Sequence, residues 1–109
     1  MTMPAHIPLP PLDPRLGVHV IFVSVPRAEV IFVKVLLESF EGVAAYRTQN
    51  AEHVPGRALI AVLAPPDFVD DTRRILAEIV ETADVVAYAP TTADLTKLYA
   101  DLFESDTIA

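Results

Sequence analysis

No cysteine occurs among the 109 residues of this chain, which excludes disulfides, thiolate catalysis, cysteine-based zinc sites and iron–sulfur ligation together. Glycine is also scarce: Gly17, Gly42 and Gly56 stand too far apart to build a phosphate-cradling loop. No run of lysine and arginine offers a footprint for nucleic acid. A formal net charge of −7 and an isoelectric point near 4.7 repel a phosphate backbone. The segment from Arg57 to Ala64 lacks the aromatic side chains on which RNA bases stack. The opening Met-Thr-Met-Pro-Ala-His has neither the basic region nor the apolar core of a secretion signal. The longest apolar stretches are broken by Pro26, Arg27, Glu29 and Lys34, so no membrane-spanning helix is expected. A cytoplasmic location is the default expectation.

What the chain has in quantity is apolar side chains, 52% of the total, with a mean hydropathy of +0.40. A chain this short holds one domain with one modest core. This much apolar surface points to burial of some of it against a second copy or a partner.

Residues 1–17 carry Pro4, Pro8, Pro10, Pro11 and Pro14 with Ile7, Leu9, Leu12 and Leu16 between them. Proline fixes φ and removes donors, so this is an irregular or polyproline-like arm, either a free tail or a segment lying along the domain. Val18 to Val25 is dominated by β-branched residues and stops at Pro26, the pattern of a strand. From Arg27 to Phe40 the period becomes helical, with Val33, Leu36, Leu37 and Phe40 in one stripe and Gly42 as the stop. Val43 to Thr48 reads as a more polar strand, and Gln49 to Gly56 as a turn. Arg57 to Ala64 is a third strand; Pro65 and Pro66 end it and open a second helix. That helix lines Phe68, Thr72, Ile75, Leu76, Ile79 and Ala83 on one face. Asp84 to Ala89 supplies a fourth strand. Thr91 and Thr92 are plausible N-caps of a last helix carrying Leu95, Leu98, Tyr99, Leu102 and Phe103.

The order β-α-β-β-α-β is that of the ferredoxin-like split βαβ fold, an α+β two-layer sandwich with an antiparallel sheet, here followed by a C-terminal helix. The divisions are residues 1–17 (arm), 18–90 (domain) and 91–109 (helix and tail). In such a fold both helices cover one sheet face, so the other face should be polar. Here neither parity of the central strands is polar: Val18, Val20, Phe22 and Ile21, Val23, Val25 in one, Ala58, Ile60, Val62 and Leu59, Ala61, Leu63 in the other. The second face therefore needs a cover: the C-terminal helix, the arm, or another subunit. The expectation is a homodimer through that face, with the C-terminal helix closing or exchanging across it.

Residues Val18–Tyr88 resemble, by this order and length, the ACT-like members of the ferredoxin-like superfamily. Pro26 to Phe32, Leu37 to Ala44 and Arg47-Thr48 are similar to a family of small bacterial domains of unknown function. The ACT-like resemblance implies dimers and small-ligand sites, often for amino acids, at strand–helix loops or subunit interfaces. Such sites commonly use a glycine in the first strand–helix loop, where this chain has Val25-Pro26-Arg27.

No nucleophile–base set stands out, and no catalytic residue, metal site or cofactor is assigned. His6, His19 and His53 lack the converging spacing and carboxylate of a metal site. Asp67, Asp70 and Asp71 sit where acids stabilise a helix dipole. The best polar candidate is the edge strand, which can present Arg47, Thr48 and Arg57 across the hairpin, with Arg27 nearby. Together these would hold a small anionic or amino-acid ligand. The same residues also read as an edge strand guarded by charge. Tyr46 and Tyr88 can line a pocket or simply pack. The leading expectation is a non-catalytic small-ligand-binding or homodimerisation module. Two alternatives are a small dimeric α+β-barrel enzyme for a hydrophobic substrate and an interaction domain of a larger complex.

Overall fold

The structure is a computed structural model that describes residue 7 and residues 9–39, 45–50, 55–82 and 84–108, without the side chains of residues 50 and 104–108. It is an α+β fold: β1 (Leu12–Asp13), β2 (Val18–Pro26), α1 (Val30–Ser39), β3 (Tyr46–Asn50), β4 (Arg57–Ala64), α2 (Val69–Thr82), β5 (Val86–Tyr88) and α3 (Thr92–Ile108). All pairings are antiparallel. β2 and β4 form the centre, β3 lies outside β4, and both β1 and β5 pair with the free edge of β2.

The prolines that close each strand also set the helix starts. Pro26 and Pro65 are each followed by a 3-10 turn, Arg27–Glu29 and Pro66–Phe68, from which α1 and α2 continue. The second turn puts Phe68 out of phase with α2, so this ring, expected on the inward face, is exposed. Thr72, Leu76 and Ile79 are buried as that face requires. β3 lies further along than expected. Gln49 and Asn50, read as turn, continue the ladder opposite Leu59 and Ala58, where their backbone groups find partners. β5 is trimmed to three residues and α3 runs five residues beyond Phe103. Phe40, Gly42, His6, His53 and Ala83 lie outside the described residues.

The two central strands bury both faces. Ile21, Val23, Val25, Ala58, Ile60 and Val62 meet Val33 and Leu37 of α1 and Leu76 and Ile79 of α2. On the other face Phe22, Leu59, Ala61 and Leu63 meet Leu98, with Leu95 and Leu102 packed alongside. Of the three covers left open by the sequence, α3 of the same chain lies over this face. A capping box starts α3: Asp94 N–H donates to the Thr91 hydroxyl, and Thr91 N–H donates to the Asp94 carboxylate.

Residue 7 and residues 9–17 of the arm lie across the sheet edge. Ile7 is buried in the α1–α2 core, and its carbonyl accepts from Arg73 Nε at 2.9 Å. Leu16, beyond β1, packs in the α3 core. Between them, His19 Nδ1 lies 2.8 Å from the Pro10 carbonyl. Gly17, at a φ of +71°, makes the turn back into β2, which a side chain would strain.

Candidate functional site

The polar residues singled out from the sequence are not brought together. Arg47 stands opposite Ala61, four positions along β4 from Arg57, roughly 13 Å at ~3.3 Å per residue. Each arginine already has partners. Arg57 Nε donates to Ser24 Oγ at 2.7 Å, and its Nη2 donates to the carbonyls of Ser24 and Asp84 at 2.9 and 2.8 Å. Its Nη1 meets the Asp84 carboxylate at 3.3 Å. These bonds fasten the start of β4 to the end of β2 and to the approach to β5. Arg47 pairs with Asp101 of α3 at 3.3 Å and donates to the Tyr46 carbonyl. Thr48 is exposed on β3, and exposed Arg27 gives its backbone N–H to the Gly56 carbonyl.

A concave site lies elsewhere among the described residues, at the free edge of β2. A groove of about 520 Å³ opens between the arm and the β5–α3 connection. Its floor is Val20, Ile21 and Phe22; one wall is Pro10 to Pro14, the other Ala87 to Pro90 with Leu95. The volume falls in the range of small-molecule sites, which are mostly apolar with few fixed polar groups. Four prolines, Pro10, Pro11, Pro14 and Pro90, stiffen its walls. Sequence reasoning gave Tyr88 a pocket-lining role among its options, and Tyr88 does line the groove. Tyr46 instead donates to Glu38 and carries Lys34 over its ring.

The groove's acidic neighbours are held by other groups. Asp13 Oδ1 accepts from Arg15 N–H at 2.8 Å, and its Oδ2 accepts from the Tyr99 hydroxyl. Arg15 stacks over Tyr99, so the arm is fastened to α3 beside the groove. The Tyr88 hydroxyl donates to Asp94 at 2.8 Å. Burial and this carboxylate together push the Tyr88 hydroxyl above its ordinary pKa, so it remains a neutral donor. Among the described residues no group of three His, Asp or Glu side chains is placed to hold a metal ion. No described helix is long and apolar enough to cross a membrane.

The other lining residues gave no local signal, because a groove between an arm and a strand terminus exists only after the sheet is assembled. Compared with known proteins, the chain matches no family model, no curated protein and no solved structure.

Proposed function

We propose that the chain is a non-catalytic small-ligand-binding domain of the ferredoxin-like type, taking an apolar ligand in the groove beside β2. The ferredoxin-like assignment is supported by the pairing order β5-β2-β4-β3, all antiparallel, with α1 and α2 on one face. On this reading β1 and α3 are additions to that frame. The ACT-like resemblance is kept at the level of arrangement, since the ligand site sits at the sheet edge instead of the Val25-Pro26-Arg27 loop.

The observation that carries the functional reading is the groove itself, with its proline-stiffened walls and apolar floor. A binding role is favoured over catalysis because the nearest carboxylates, Asp13 and Asp94, already accept hydrogen bonds from the chain's own groups. A ligand that binds the folded chain raises its melting temperature. Aliphatic alcohols should therefore stabilise the protein in a thermal-shift series, while amino acids and phosphate leave it unmoved. Ala89→Leu, at an exposed position in the wall, should abolish that shift without changing the circular dichroism spectrum. A flat response to the alcohols, or one indifferent to Ala89→Leu, defeats the proposal.

Self-association is a second reading, favoured by one observation. With α3 over the sheet face, an apolar surface open to a second copy is found on α1, where Ile31 (77% exposed), Phe32 and Val35 point outward.

A further inference from the structure

The hydrogen-bonding pattern of the sheet fixes which backbone group of β2 faces the groove. Leu63 N–H donates to the Ala45 carbonyl on the β3 side, and the Gly56 carbonyl accepts from Arg27 N–H on the β2 side. Backbone groups alternate in direction along a strand, so odd residues of β4 face β3 and even ones face β2. The even residues Ala58, Ile60, Val62 and Ala64 pair with Val25, Val23, Ile21 and His19. Those odd residues of β2 thus use their N–H and C=O on β4. Val18, Val20, Phe22 and Ser24 present theirs to the opposite edge.

Three of these four meet a strand there. Val18 is opposite Asp13 of β1, while Phe22 and Ser24 are opposite Tyr88 and Val86 of β5. Val20 falls in the gap between the two strands. If the β1 register is continued, Pro11 comes opposite Val20; if the β5 register is continued, so does Pro90. A proline offers a carbonyl but no N–H. Neither flanking strand can therefore donate to the Val20 carbonyl, and Val20, Pro11 and Pro90 all line the groove.

We infer that the groove's ligand is an uncharged aliphatic molecule with one O–H or N–H donor at its end, which the Val20 carbonyl receives. This rests on the groove being a ligand site. An occupant without a donor would strip water from that carbonyl and replace it with nothing, an unfavourable exchange. An anionic head would meet the Val20 oxygen, the Asp13 carboxylate in the wall and a chain of net charge −7. The apolar body would lie against Phe22, Leu12 and Leu95.

Calorimetric titration of the full chain with octanol, octyl methyl ether and octanoate tests this. Octanol should bind about tenfold more tightly than the ether, the scale of one hydrogen bond to an otherwise unsatisfied carbonyl, and octanoate should bind weakest. Equal affinity of octanol and the ether overturns the donor assignment while leaving the groove as a ligand site. Binding by none of the three overturns both. Pro90→Ala returns an N–H at the position that the continued β5 register sets opposite Val20, and should shrink the advantage of octanol over the ether. An undiminished advantage in a variant of unchanged circular dichroism also counts against the assignment.

Discussion

Each of the chain's three tyrosines donates its hydroxyl to a carboxylate: Tyr46 to Glu38, Tyr88 to Asp94 and Tyr99 to Asp13. All three hydroxyls are held above the ordinary value of 10.0, Tyr46 and Tyr99 mainly by the hydrogen bond and Tyr88 mainly by burial. A group whose folded pKa is raised adds stability that is complete below the unfolded pKa. That stability disappears as pH climbs through the folded value. The denaturation midpoint should accordingly be insensitive to these groups below pH 10 and fall above it. In the folded protein the tyrosinate absorbance should rise at higher pH than in the urea-unfolded chain. Coincident titration curves for the two states would contradict the three contacts. None of these partnerships was legible in the sequence. Tyr99 and Asp13 are separated by most of the chain, and Arg57 looked free to hold a ligand only because Ser24 and Asp84 are also distant from it in sequence.

At the scale of elements, α3 decides whether the sheet can exist uncovered. Its Leu98 is fully buried against Phe22, Leu59, Ala61 and Leu63, residues that α1 and α2 cannot reach. Leu98→Ala should cost about 2–5 kcal/mol, the range for truncating a buried leucine, measured by urea denaturation. A loss well under 1 kcal/mol would mean that α3 is not what closes this face. The need for a cover was legible, since neither parity of the central strands is polar. The identity of the cover was not, because α3, the arm and a second copy all carried suitable leucines. Among the described residues of the arm, Ile7 and Leu16 enter cores on opposite sides of the sheet.

Over the described residues, much of the apolar excess goes to two cores, a groove and one helix face. The first two take in the central strands together with Leu76 and Ile79 of α2 and Leu98 of α3. The face of α1 is open to another copy, and Ile31, Phe32 and Val35 are too exposed to serve the fold. Light scattering over a range of concentrations should show a dimer in equilibrium with monomer, shifted to monomer by Val35→Lys. A monomer at every concentration would retire the self-association reading. The groove would be unaffected, since none of its lining residues comes from α1.

The sequence by itself determined the α+β class and the prolines that end β2 and β4. These follow from side-chain periodicity and local backbone restriction, which act over a few residues. It also determined what chemistry is missing, since cysteine, a glycine-rich loop and a basic run are each present or absent by inspection. Tertiary structure alone decided which chain segment covers the second face and where the arginines find their partners. It alone left Val20 between the stretches of β2 that pair with β1 and with β5. The physical reason is register: which residues of β2 meet β1, β4 and β5 depends on aligning segments separated by most of the chain, and strand alignment is a non-local property.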